Sequence, residues 1–313
     1  MLENLTLGYV GNSFSDSPYG TAKVFFFPGC NKRCGYCYNS SVVYGKIENG
    51  IKFSDALKEI ASCRQTRADG KAFLTNDWII LSGGECTLYP DHCKAMIDEA
   101  KKIGIPVGIY TNGVLGDVVM QLRNYGLHYV HLDLKDENFN TALVEKLNHA
   151  LMLTSYATVL VKQTFPDVAS FSKLSTKLFE SGFKSSSFNT WTLNAFSDND
   201  GQATMLDPTY TKATSFIDKK TAYQMLAIAR SQAPFSNDIR LIGYKDYMTN
   251  AQMKDAKQKV KTSKDIYDYS RLTDLDEYEY KVLCDNWDNN ASVSTNLNNL
   301  RLKANSFFSP HTN

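Results

Sequence analysis

Short, continuously apolar runs alternate with longer stretches whose apolar residues recur every three or four positions. The runs at 24–27, 78–81, 107–110, 129–132 and 156–163 read as strands. The stretches at 54–63, 91–102, 115–125, 140–153 and 169–180 carry helical spacing. Trp78-Ile79-Ile80-Leu81 and Val107-Gly108-Ile109 lack polar alternation, as strands covered on both faces of a parallel sheet should. Strands separated by helices imply parallel pairing through crossovers. Two more strands are expected at 188–195 and 239–244. Ser54 is placed to cap one helix, and Pro90 with Asp91 suits the first turn of another. The fold class is therefore α/β, a partial (β/α)6-type barrel of about six strands.

Beyond residue 196 the pattern weakens. A polar, turn-rich stretch covers 197–202, and helical spacing returns over 209–233 with Met225, Leu226, Ile228 and Ala229 inside. The character changes again after Tyr247: 250–264 is strongly charged, 266–280 is rich in tyrosine and acid, and 286–313 is rich in asparagine and serine. The expected division is a core barrel over 1–247 and a partly flexible C-terminal extension over 248–313. Two readings of that extension stand: a solvated helical tail, or a docking element over the barrel mouth with Tyr267, Tyr269, Tyr278 and Tyr280 as contacts.

Active sites of such barrels lie where the strands end in loops, and the loop after the first strand holds the most telling chemistry. It reads Phe27-Pro28-Gly29-Cys30-Asn31-Lys32-Arg33-Cys34-Gly35-Tyr36-Cys37, a C-x3-C-x2-C spacing. Four-iron clusters are normally held by four thiolates, so three from one loop leave one iron open to a small molecule. Lys32 and Arg33 are placed to favour the thiolate forms. A zinc site is the alternative, but structural zinc takes four ligands, usually as two spaced pairs. Cys63, Cys86, Cys93 and Cys284 are isolated, and only His92 beside Cys93 makes a weak cluster.

This loop resembles the signature of the radical S-adenosylmethionine (radical SAM) enzymes, and later motifs match in order. Ser82-Gly83-Gly84-Glu85 looks like that family's G-G-E, Thr111-Asn112-Gly113 like its T-N-G ending, and Asp133-Leu134-Lys135 like its D-L-K ending. The pattern is most similar to activating enzymes of glycyl-radical proteins, especially of anaerobic ribonucleotide reductases, over about residues 20 to 165. Two positions depart: Cys86 stands where proline is common, and Tyr110 where these activases often have aspartate.

The resemblance implies a [4Fe-4S] cluster on Cys30, Cys34 and Cys37 that cleaves S-adenosylmethionine reductively to a 5′-deoxyadenosyl radical, which abstracts hydrogen from the substrate. It further implies that Ser82, Gly83, Gly84 and Glu85 engage the methionyl amino end. Thr111 and Asn112 would line the mouth, and Asp133 and Lys135 would contact polar groups of the cofactor or an accompanying ion. Tyr36 and Tyr38 are placed either to stack on adenine or to pack. The implied partners are a glycyl-radical protein substrate and an electron donor such as flavodoxin or ferredoxin. Two alternatives stay open: a radical SAM enzyme modifying a peptide, a nucleotide or another small molecule, and a non-catalytic, metal-stabilised binding module.

Composition narrows the setting. Lys and Arg total 34 against 33 Asp and Glu, a net charge of +1, so no general nucleic-acid field is expected. Seven cysteines with three clustered do not suggest a secreted disulfide framework. The opening residues carry no basic region followed by a long apolar run, so neither a signal peptide nor a membrane span is indicated. The expectation is a cytoplasmic, oxygen-sensitive oxidoreductase.

Overall fold

The computed structural model describes residues 4–47, 49–184, 189–198, 205–233 and 238–244, and also 286, 288, 295, 296 and 299. The first part of the chain forms β1 (Thr6–Leu7), β2 (Tyr9–Ser13), β3 (Ala22–Phe27), α1 (Ser40–Val43), β4 (Ile51–Lys52), α2 (Phe53–Ala61), β5 (Arg64–Thr66) and β6 (Ala72–Leu74). Strand and helix then alternate through β7 (Trp78–Gly83), α3 (Pro90–Ile103), β8 (Val107–Thr111), α4 (Gly116–Tyr125), β9 (Tyr129–Asp133), α5 (Thr141–His149), β10 (Leu153–Leu160) and α6 (Val168–Glu180). The last elements are β11 (Asn189–Ala195), α7 (Lys212–Ser215), α8 (Lys219–Ser231) and β12 (Ile239–Ile242).

Eight strands form one sheet in the order β12-β11-β10-β9-β8-β7-β3-β2. Every pair from β3 to β12 is parallel, and β2 runs antiparallel outside β3. Strand order follows chain order from β7 to β12, and the helices pack in sequence: α2 on α3, α3 on α4, α4 on α5, α5 on α6, α6 on α8. They therefore form one layer on one face, where a doubly wound sheet would divide them between two. That arrangement is the barrel type. The sheet remains open between its end strands β2 and β12, so the expected partial barrel is present, with β12 as a seventh parallel strand.

Strand residues divide between the faces with period two. Phe25, Phe27, Ile79, Leu81, Val130, Leu132, Trp191 and Leu193 belong to the main core with the helices. Ala22, Val24, Trp78, Ile80 and Tyr129 form a smaller cluster on the concave face, with Phe26, Tyr110 and Leu153 against it.

Several boundaries differ from the sequence expectation. α2 starts at Phe53 with Lys52 as N-cap and no side-chain cap, so Ser54 does not cap it. The Phe53 side chain is buried and its N–H donates to the Leu5 carbonyl at 2.9 Å, so packing sets the start. Pro90 does open α3, with Asp91 in its first turn. α5 stops at His149 because Leu151 takes φ +50°. The N–H groups of Leu151 and Met152 bond back to Asn148 and Leu147, the reversal usually given to glycine. β10 lies three residues earlier than expected, in register with Tyr129 at Leu153, and the chain turns back on the Val161 carbonyl at 164–165. The helical spacing of 209–233 is broken at Phe216, which bridges to Val161.

Residue 188, most of 197–202 and residues 245–285 lie outside the described residues, as do Cys284 and nearly all of 286–313. The 1–247 and 248–313 division and the tyrosines 267, 269, 278 and 280 fall there too. Among the described residues no helix is long and apolar enough to cross a membrane.

Candidate active site at the strand ends

β3 leads through Gly29, at φ +77°, into the cysteine loop. Cys30, Cys34 and Cys37 are free thiols of intermediate exposure. Burial pushes the Cys30 and Cys37 thiols up, and the Cys34 sulfur raises both further, so the three share one locality. The Lys32 backbone N–H donates to the Cys30 sulfur at 3.4 Å, and Asn112 Nδ2 lies 3.8 Å from it. The expected cationic help is turned elsewhere. Lys32 Nζ pairs with Asp136 at 3.4 Å, while Arg33 donates to the carbonyls of Cys30 and Lys32 and lies over the Tyr44 ring.

The G-G-E turn follows β7 and rests on the base of that loop. A Cβ on Gly83 (φ +112°) would meet the Phe27 nitrogen at 2.2 Å, and one on Gly84 would meet the Gly29 oxygen at 1.9 Å. Only glycine permits this approach. It lets the Gly84 N–H donate to the Phe27 carbonyl and the Glu85 N–H to the Gly29 carbonyl, each at 2.8 Å. Glu85 is 1% exposed. Its carboxylate accepts from the Thr87 N–H (3.2 Å) and hydroxyl (2.7 Å), the Thr111 hydroxyl (2.8 Å) and the Asn112 N–H (2.8 Å). Burial pushes the Glu85 carboxyl up against the pull of these four bonds. The side chain thus ties G-G-E to T-N-G instead of reaching into the mouth.

Cys86 opens a short 3-10 turn, Cys86–Leu88, that delivers the chain to Pro90. Its buried thiol lies 3.7 Å from the Tyr110 carbonyl, and the Cys93 thiol donates to the Cys86 carbonyl at 3.3 Å. The His92 ring stands edge-on to Phe53 at 4.7 Å and to Tyr89 at 5.9 Å. Among the described residues no three His, Cys, Asp or Glu side chains form a single-ion site.

β8 and β9 furnish a polar set on the concave face. The Tyr110 ring stacks on His131 at 4.0 Å. His131 Nδ1 lies 2.6 Å from the Ser155 hydroxyl, which the Tyr129 hydroxyl also reaches. Burial pulls the His131 pKa down, and it pushes the Tyr129 phenol up to about 12. Asp133 Oδ2 pairs with Lys135 Nζ at 3.1 Å, and Asp133 Oδ1 lies 3.9 Å from His131 Nε2. Burial opposes the Lys135 charge, but Asp133, Tyr36 and the Cys34 sulfur together raise its pKa.

A segment from the second half of the chain clasps the cysteine loop. The Leu206 N–H donates to the Cys37 carbonyl at 2.7 Å and the Asp207 N–H to the Gly35 carbonyl at 3.0 Å. Met205, Phe196 and Val161 pack with Tyr36 and Tyr210. Tyr36 is therefore a packed residue in this arrangement, while Tyr38 is exposed.

Sequence reasoning missed His131, Ser155, Tyr129 and the clasp. The first is marked by its place between Val130 and Leu132, which alternation turns to the concave face. The clasp carries no local signal.

The strand ends of the open parallel barrel carry a three-cysteine loop on their rim. Residues 24–148 match the model of the radical SAM superfamily. Over that span the chain is similar to radical SAM domains, and members of that superfamily use a [4Fe-4S] cluster and S-adenosylmethionine. A Methanocaldococcus jannaschii protein named "Putative glycyl-radical enzyme activating enzyme" is 33% identical over 135 residues, which are 43% of this chain. The match spans about half of that relative, 51% of its length. Among solved structures, one of TYW1 with a lysine-pyruvate adduct bound is 14% identical with a TM-score of 0.39, covering 67% of this chain and 72% of its own. An archaeal TYW1 is 17% identical with a TM-score of 0.30, covering 50% of this chain and 61% of its own.

Proposed function

We propose that this chain is a radical SAM enzyme in which Cys30, Cys34 and Cys37 hold a four-iron cluster, and that its substrate is a glycine of a glycyl-radical partner protein. One observation carries the reading. The motifs that end β3, β7 and β8 are bonded into one rim, by the contacts of Gly84 and Glu85 to residues 27 and 29 and of the Glu85 carboxylate to Thr111 and Asn112.

The residues fit the implied group. Three free thiols of intermediate exposure sit on one loop, and each of the outer two feels the Cys34 sulfur. When bound, the cluster and S-adenosylmethionine supply reductive cleavage and hydrogen abstraction, chemistry the protein itself lacks. Ser82 and the backbone of Gly83 and Gly84 offer polar groups at the rim for the methionyl amino end. Glu85 acts by position, holding Thr111 and Asn112 against the loop. Asp133 and Lys135 place an ion pair at the polar end of the mouth. An electron donor such as flavodoxin or ferredoxin completes the reaction.

The relative's printed name supports the glycyl-radical partner. The test uses an anaerobic ribonucleotide reductase labelled with α-deuterated glycine, mixed with reconstituted protein, reductant and S-adenosylmethionine. Deuterium in 5′-deoxyadenosine and a glycyl radical signal by electron paramagnetic resonance are expected; deoxyadenosine without either points to another substrate. Modification of a peptide, nucleotide or small molecule is the second reading, and Tyr110 favours it. Its ring, stacked on His131, occupies the position where the activases often have aspartate.

A further inference from the structure

Alternate residues of each strand face the barrel lumen, as Tyr129, Tyr110 and Leu153 do in the concave cluster. Tyr110, His131 and Ser155 form one lumen row: Tyr110 is in register with His131 across β8 and β9, and His131 with Ser155 across β9 and β10. The imidazole is fixed from two sides. Its face lies on the Tyr110 ring at 4.0 Å and 15°. Its Nδ1 is 2.6 Å from the Ser155 hydroxyl and 3.4 Å from the Tyr129 hydroxyl, and the two hydroxyls also touch each other. With the ring proton on Nδ1, only one of the two hydroxyl protons finds an acceptor within this set. With it on Nε2, Tyr129 donates to Ser155, Ser155 donates to Nδ1, and both hydroxyl protons are used. The set therefore selects the Nε2–H tautomer.

Nε2 takes no part in that set. Asp133 Oδ1 is 3.9 Å from it, beyond hydrogen-bond reach, and Lys135 holds Asp133 there through its other oxygen at 3.1 Å. The His131 side chain is 15% exposed, so it is not sealed in the core. It lies two residues before Asp133 on the same strand, roughly 7 Å below the strand end. A neutral N–H donor thus stands beneath the rim, on the side of the ring nearest the mouth. A substrate glycine offers a binding site only its backbone, and the acceptor in that backbone is a peptide carbonyl.

We propose that His131 is a substrate-binding residue whose Nε2–H donates to a peptide carbonyl beside the target glycine, with Tyr110 fixing the plane of the ring and Ser155 its tautomer. The inference rests on the reading of the substrate as a glycine of a partner protein. Burial keeps the ring neutral, so the donor does not depend on protonation. Holding the carbonyl fixes where the glycine stops in the lumen, which is a positioning contribution to hydrogen abstraction.

The tautomer is read from nitrogen–proton correlation spectra of the imidazoles in the apo protein, the His131 signals being those absent from His131→Gln. A proton on Nε2 is expected, and Ser155→Ala should bring protonated Nδ1 into the equilibrium. A proton on Nδ1 in the unaltered protein, or a tautomer indifferent to Ser155→Ala, overturns the proposal. Substrate contact is read with the α-deuterated reductase, as kcat/KM for deuterated 5′-deoxyadenosine. His131→Leu should lower it about two- to tenfold, the worth of one neutral hydrogen bond. His131→Gln, whose amide N–H stands near the place of Nε2–H, should restore most of that loss. Should His131→Leu not fold, Ser155→Ala replaces it with the same expected direction. An unchanged kcat/KM, or an equal loss in the Leu and Gln variants, overturns the proposal, the latter by reducing His131 to packing. If the unaltered protein makes deoxyadenosine but moves no deuterium, the glycine reading fails and takes this inference with it.

Discussion

Gly84→Ala isolates the contact that joins the G-G-E turn to the cysteine loop. The added Cβ would stand 1.9 Å from the Gly29 oxygen and 2.6 Å from its carbonyl carbon, both backbone atoms that no rotamer change can remove. Restoring an ordinary contact needs a displacement of about 1.5 Å, larger than the roughly 1 Å shift that costs about 100-fold in rate when it misplaces reacting groups. Overpacking contributes about 1–3 kcal/mol of instability. Loss of the 2.8 Å bond from the Glu85 N–H to Gly29 adds about 1 kcal/mol. Urea unfolding of the apo protein should therefore show a loss of about 2–4 kcal/mol. Anaerobic deoxyadenosine formation by the loaded protein should fall about 100-fold. Gly70→Ala is the control. Gly70 has φ +81° with nothing within 4 Å, so only left-handed strain of about 1–2 kcal/mol is expected, with turnover unchanged. A Gly84→Ala protein with the original stability and turnover would refute the claim that the two motifs are held in register by backbone contact.

Three further outcomes follow from the site. His131 is held neutral by burial, its folded pKa below the ordinary value of 6.5. As pH falls through 6.5 the unfolded chain takes up this proton first, so stability should drop below that pH, and apo His131→Gln should show a flatter dependence from pH 6.5 down to 5 in urea titrations. Gly35→Ala forces the Tyr210 ring off the loop and should cost about 1–3 kcal/mol and lower iron retention, with Gly35→Ala/Tyr210→Ala recovering retention; no recovery would mean the clasp does not act through that ring. Trp191→Ala removes a fully buried ring whose Nε1 donates to Thr158 at 3.1 Å, and about 3–5 kcal/mol should be lost in the same assay without altering the spectrum of the cluster that does load.

The parallel strands were legible in the sequence because both faces are covered, which leaves continuous apolar runs such as Trp78-Ile79-Ile80-Leu81. β2 was not: Tyr9-Val10-Gly11-Asn12-Ser13 is a half-exposed edge strand without a clean period. Helix ends failed where tertiary contacts override capping, as at Phe53, or where Leu151 takes a glycine-like conformation. The site divides the same way. Local motifs (C-x3-C-x2-C, G-G-E, T-N-G and D-L-K) could be read in order because each lies within one strand-to-loop turn. Roles that depend on distant partners could not. Glu85 is turned inward by Thr111 and Asn112, Lys32 is drawn to Asp136, and Tyr36 is covered by residues 205–210.

The most direct test of the central claim is 5′-deoxyadenosine production by anaerobically reconstituted protein given dithionite and S-adenosylmethionine, measured by mass beside Cys34→Ala. The account predicts deoxyadenosine from the unaltered protein and loss of both product and cluster in the variant. A cluster-loaded protein that forms none, with or without candidate substrates, or equal product from Cys34→Ala, would contradict it.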